Sequence, residues 1–207
     1  MATLAEAIRI YKYNLSTGML IGLNNVLKRY QYSNYKFTPK MWDALIIGQH
    51  QRHLLHHKYV SYSRLKKDIR TVLPALPMPR PATFEDLYDI VKKSINKVKG
   101  VGPLLCYDLT LRLGYLYEDP LLPKDYVYIQ AGALNGIRAL SNSKNNGSLF
   151  QRKTWTNKKY HISKFQGAFP NLESIFIEDF LCVFHKELSN LSQYSIRSLQ
   201  KKIKIYK

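Results

Sequence analysis

Two glycines separated by one valine, Gly100-Val101-Gly102, lie between stretches patterned as amphipathic helices, with Lys97 and Lys99 just before them. Glycine permits backbone geometry that a side chain blocks, and it lets a backbone approach a partner closely. In such a turn the glycine amides and the N-terminus of the next helix suit a phosphate. Val101 is expected to point into the helix pair and pin the turn, while the lysines add cations beside the anion. Contacts of this kind hold a DNA backbone without reading its sequence. An ordinary helical hairpin, with glycines serving only the turn, fits the same residues. Further along, Asp125 follows Leu122-Pro123-Lys124. A carboxylate there either caps a helix or stabilises positive charge developing in a reaction.

The run Ile95-Asn96-Lys97-Val98-Lys99-Gly100-Val101-Gly102-Pro103-Leu104-Leu105-Cys106-Tyr107-Asp108-Leu109 resembles the helix-hairpin-helix DNA-binding family. Leu122-Pro123-Lys124-Asp125-Tyr126 is similar to the Leu-Pro-x-Asp-Tyr segment of the alkyladenine-excising branch of the DNA glycosylase superfamily. The resemblance covers only about residues 95–130. It implies an all-α, glycosylase-like fold with a central hairpin, and a monofunctional enzyme that flips a damaged or modified base from the stack and excises it. Asp125 would then be the catalytic carboxylate. Bifunctional members carry a lysine nucleophile two positions after the second hairpin glycine, where this chain has Leu104, so Schiff-base chemistry is not expected. A non-catalytic DNA-binding module of the same fold is the alternative. An RNA-associated basic protein is a weaker one, because charge alone does not choose the nucleic acid.

Other residues invite chemistry less strongly. Phe150, Arg152, Lys153, Trp155, Lys158, Lys159 and Tyr160 interleave aromatics with cations, which suits base stacking and phosphate contact. Trp155 serves equally as an anchor holding its loop to a core. Lys124 adds a cation beside Asp125. His50, His53 and His57 share a helical face, but no Cys, Asp or Glu completes a metal site, and a basic or phosphate-facing helix is the better reading. Glu178 and Asp179 are adjacent, so on a helix they diverge and a structural use is expected. The two cysteines, Cys106 and Cys182, sit in apolar runs and read as buried thiols. No Walker-type loop or nucleophile elbow is present in the sequence. Neither a metal nor a small-molecule cofactor is expected.

These residues are carried by a chain of 207 residues, 45% of them hydrophobic, enough to bury a core. Its net charge of +18 favours a polyanion as partner. That charge resides in residues 1–82 (+10) and 141–207 (+8), whereas residues 83–140 are neutral. The hairpin can therefore anchor a phosphate, but its flanks must supply the field. DNA duplex, held mainly by its backbone, is the expected partner. A membrane is not, since no apolar run is long enough to span one. A cytoplasmic, nucleoid-associated location is the default.

Helical periodicity predicts two short helices within 4–30 broken near Ser16-Thr17-Gly18, and a third from Met41 through the histidines. The expected organisation is a basic helical region over 1–73, a proline-rich connector at 74–82 and the hairpin with its following helix over 83–140. A basic loop at 141–170 and C-terminal helices over 171–207 complete what reads as one compact domain. Within this scheme Thr83 caps a helix from Phe84 to about Asn96, its partner runs Leu104–Leu116, and Tyr126–Leu140 forms another. Leu172–Leu188 and Ser195–Lys207 complete the set. No period-2 pattern stands out, so no strand is expected.

Overall fold

The computed structural model describes residues 2–16, 62–142, 150 and 155–205. The expected helices between 20 and 58, the histidines His50, His53, His56 and His57, and the cations Arg152 and Lys153 lie outside the described residues. The chain divides into two compact units, Met1–Met19 with Pro123–Lys207, and Leu20–Leu122. The proline-rich connector falls inside the second.

In the unit formed by Leu20–Leu122, three helices are described: α2 (Tyr62–Val72), α3 (Phe84–Ile95) and α4 (Pro103–Gly114); α1 (Leu4–Ser16) belongs to the other unit. Helix α3 begins where the sequence says it should. The Thr83 hydroxyl accepts from the Asp86 amide at 3.1 Å, and the Asp86 carboxylate accepts from the Thr83 amide at 3.0 Å. This reciprocal box satisfies donors that a helix start leaves open. Glu85 and Asp86 at its start, with Lys92 and Lys93 at its end, complement the helix dipole. Phe84, Leu87, Val91 and Ile95 form its buried stripe. Leu87, Val91 and Ile95 pack with Leu105, Cys106, Leu109 and Leu113 of α4 and with Ile69 and Leu73 of the α2 region, while Phe84 meets the Tyr107 ring edge-on at 6.0 Å. The connector is fastened by Arg80, which reaches the Asp119 carboxylate at 2.7 Å, and by the Tyr117 hydroxyl donating to the Pro77 carbonyl at 2.7 Å.

The other unit holds α1 (Leu4–Ser16), β1 (Tyr126–Ile129), α5 (Ala131–Asn142), β2 (Lys158–His161), α6 (Ser174–Val183) and α7 (Ile196–Ile205). The molecule is helix-rich, but it is not all-α: β1 and β2 pair antiparallel, with Tyr126 opposite His161 and Ile129 opposite Lys158. The single helix expected over Tyr126–Leu140 is therefore a strand, Gln130 and then α5. The β-branched and aromatic run Tyr126-Val127-Tyr128-Ile129 prefers a pleated surface once a partner strand is available. That partner lies inside the expected basic loop, where a strand of four residues is too short to leave a periodic signature.

The core of this unit is aromatic. Phe150, Phe165, Phe169, Phe180 and Phe184 are buried together with Trp155 and Tyr11, many in edge-to-face contact, as Tyr11 with Phe180 at 5.4 Å. Helices α5 and α6 approach so closely at Gly132 and Gly136 that a Cβ on either would clash. A Cβ on Gly136 would lie 2.2 Å from the Leu181 carbonyl oxygen, and one on Gly132 2.5 Å from Cys182 Sγ. These glycines thus permit the packing, whatever they cost α5 in helix propensity.

Helix α1 is tied to α6 by the Tyr11 hydroxyl, which donates to Asp179 Oδ2 at 2.5 Å. Burial pushes the Asp179 carboxyl above its ordinary value, and the Tyr11 bond opposes that rise. The expected structural use of this residue is what the contacts show.

Two outcomes test this packing. Gly136→Ala should destabilise the protein by roughly 1–3 kcal/mol or more through overpacking, seen as a melting temperature lower by several degrees, whereas Gly102→Ala, whose Cβ would meet nothing within 4 Å, should leave melting unchanged. A carboxyl raised on folding stabilises below its unfolded pKa of about 3.9 and loses that contribution as pH rises through the folded value. Asp179→Asn keeps an acceptor for Tyr11 and should flatten that part of the stability–pH profile. An unaltered profile would show that the carboxyl is not the titrating group.

Candidate nucleic-acid interface

The hairpin between α3 and α4 is built as its residues suggest. Gly100 adopts φ 90°, a left-handed geometry that favours glycine. The Val98 amide donates to the Ile95 carbonyl at 3.0 Å and the Val101 amide to the Val98 carbonyl at 3.1 Å. Val98 is buried, and Val101 packs half-buried against the same core. Gly102 is the residue preceding α4, at φ −106° and ψ 176°, with Pro103 in the first turn. That backbone suits any residue, and nothing among the described residues lies within 4 Å of a Cβ placed there. The backbone therefore needs Gly100 to be glycine but does not need Gly102 to be, and Lys97, Lys99 and Gly102 are all exposed.

Behind the hairpin, burial pushes the Cys106 thiol up to about 11, opposed by its hydrogen bond with Tyr88, whose own hydroxyl is pushed to about 12, first by burial. Cys106 is thus a protonated core thiol and not a nucleophile. Burial lowers Arg112, and Asp108 one turn earlier opposes that shift.

The structure separates the members of the second basic cluster. Trp155 is only 5% exposed. Its ring packs 4.7 Å from Tyr160 and 5.7 Å from Phe165, and the Arg138 guanidinium donates to its carbonyl at 3.0 Å. Of its two readings, core anchor describes this placement, and its ring is not free to stack on a base. Lys158 and Lys159, in contrast, are exposed on β2. Lys158 Nζ lies 5.2 Å from the Tyr160 ring centroid, and Lys159 Nζ 4.6 Å from that of Tyr126. Lys164, which nothing in the sequence singled out, joins them with its Nζ 5.5 Å from Tyr160. His161, equally inconspicuous in sequence, sits edge-on to Tyr126 at 5.7 Å, and its Nδ1 lies 2.8 Å from the Ser163 hydroxyl.

Lys124 and Asp125 are exposed at the entry to β1. The Lys124 carbonyl accepts from the Ser174 hydroxyl at 2.7 Å, and the Asp125 carbonyl accepts from the Ile162 amide at 2.8 Å. No helix begins at Asp125, so it neither caps one nor opens one as the glycosylase pattern requires. It enters a strand. Among the described residues, no group of His, Cys, Asp and Glu could hold a metal ion, and no helix is long and apolar enough to cross a membrane.

A family model described as ADDT, amino acid:DNA transferase, matches residues 33–192, about three quarters of the chain. The chain belongs to the amino acid:DNA transferase family. No curated protein and no solved structure shows a significant match. The family assignment overturns the glycosylase resemblance: a match extending from residue 33 to 192 outweighs a likeness confined to about residues 95–130. Base excision falls with it, and so does Asp125 as the carboxylate of N-glycosidic cleavage. DNA survives as the partner class, since the family's description names it.

The buried thiol should be chemically silent while the protein is folded. At pH 8 Cys106 should stay unmodified by iodoacetamide in the native protein and become modified in denaturant. Rapid native labelling of Cys106 would contradict the burial and the raised thiol pKa.

Proposed function

We propose that this protein transfers an amino acid to DNA, and that the hairpin at Gly100-Val101-Gly102 anchors the DNA backbone. The observation that carries the reading is the family match over residues 33–192, which includes the hairpin and both strands. The hairpin supports it physically. Lys97 and Lys99 are exposed beside a helix N-terminus, and the unneeded glycine at 102 leaves room for a phosphate to approach the backbone. Such an anchor positions DNA without choosing its sequence, which leaves the choice of target nucleotide to other residues.

Transfer forms one covalent bond between the amino acid and DNA. The nucleophile gives up a proton, and a leaving group departs from whichever substrate arrives activated. Two exposed groups at the start of the β ribbon could accept that proton: the imidazole of His161, which pairs with Tyr126, and the carboxylate of Asp125, which precedes Tyr126 in the chain. Lys124 and Lys159 stand beside them as cations for a phosphate or for the carboxylate of the amino acid.

The test is product formation. Purified protein is incubated with radiolabelled amino acids and either DNA from the protein's own source or a synthetic duplex, and the DNA is digested to nucleosides for mass spectrometry. A nucleoside heavier by an amino acid residue is expected. Absence of DNA-linked label with every amino acid and both DNAs would overturn the reading. Exchanging Lys97 and Lys99 for Glu should weaken duplex binding by an order of magnitude or more at low salt, with unchanged melting. Unchanged affinity would remove the hairpin from the interface.

A further inference from the structure

We infer that β2 and the turn after it, residues 158–164, form a second DNA-backbone contact that approaches the duplex edge-on; this rests on the reading of DNA as substrate. Strand β2 pairs only with β1, so its outer edge is free among the described residues. Successive side chains of a strand point to opposite faces. Lys159 shares a face with Tyr126 and His161, while Lys158 shares the other with Tyr160. Ammonium groups therefore stand on both sides of one edge, where an edge-on approach brings each toward phosphate.

Two features distinguish these lysines from ordinary surface cations. Each is held over an aromatic ring, Lys158 and Lys164 over Tyr160, and Lys159 over Tyr126. A cation over a ring within about 6 Å is attracted to it, so the ammonium is partly ordered before a ligand arrives and less entropy is lost on binding. None of the three pairs with a carboxylate among the described residues. Asp125 at the ribbon's start also makes no ion pair there. The rings themselves are fastened: Tyr160 is buried against Trp155, and its hydroxyl accepts from the Thr156 amide at 3.0 Å. The ribbon thus presents ordered, uncompensated positive charge on a rigid support, which matches a phosphate chain.

The experiment measures affinity for a synthetic DNA duplex across a salt series, using the full chain. The variant Lys158→Gln/Lys159→Gln/Lys164→Gln removes the three ammonium groups. A control, Lys186→Gln/Arg197→Gln/Lys201→Gln, removes equal charge from exposed positions elsewhere in the same unit. The ribbon variant should lose roughly tenfold or more in affinity at 0.1 M salt, and its slope of log K against log salt should fall by about 2 to 3, near 0.9 for each phosphate no longer neutralised. The control should keep the slope of the native protein. Equal losses in both variants would reduce the effect to bulk charge and overturn the proposal. So would a ribbon variant that binds DNA normally but loses RNA binding. Melting of both variants is measured alongside. Should the ribbon triple variant melt early, the single changes Lys159→Gln and Lys164→Gln are read for a slope change near 1 each. Amino acid transfer is scored separately, so a protein that binds through the ribbon yet transfers nothing contradicts the proposed activity and not this interface.

Discussion

With no side chain at Gly136, the backbone of α5 rests almost directly on the carbonyl oxygen of Leu181 in α6. This contact sets much else in its unit. Strand β1 runs through Gln130 straight into α5, and it packs on α6 as well. The depth at which the two helices meet therefore sets where the ribbon lies. Lys124 and Asp125 are held at the same place by the bond from Ser174, the first residue of α6. Interiors are close-packed and respond to added volume by shifting backbone. A bulkier residue at position 136 would thus move the strand that carries the exposed cations as well as loosen two helices.

Around that contact, aromatics and cations have been sorted by the physics of burial. Trp155, Phe150 and Tyr160 face the core, while Lys158, Lys159 and Lys164 face water. An ammonium cannot be buried unpaired without a large desolvation cost, yet it can rest on the face of a ring whose other atoms are packed inside. The strand thereby turns a composition of mixed aromatics and lysines into a charged outer layer on an apolar support. The hairpin in the other unit instead offers backbone amides and a left-handed glycine beside exposed Lys97 and Lys99.

The likeness to glycosylases shows how a short segment misleads. A Gly-apolar-Gly turn between amphipathic helices is a short motif, and short motifs match unrelated hairpins. The Thr83 cap, the buried stripe of α3 and the left-handed Gly100 were all legible because they arise from neighbours in sequence. The Leu-Pro-Lys-Asp-Tyr match failed on a non-local matter. Whether Asp125 opens a helix or a strand depends on whether another segment pairs with residues 126–129, and that segment begins at Lys158.

The same division runs through the whole protein. By itself the sequence determined the net charge of +18 and its absence from residues 83–140, the α3 boundary, the hairpin turn and the helix-rich class. These depend on composition, capping and periodicity, all of which act over a few residues. Tertiary structure alone decided that Trp155 is core, that Gly136 is a contact surface, that Asp179 is a half-buried carboxyl bonded to Tyr11, and that the basic loop contains a strand. Each of those outcomes needs two segments distant in the chain to meet. The free energy gained when they meet exceeds the local preferences of either segment, and those preferences are all that a short stretch of sequence can express.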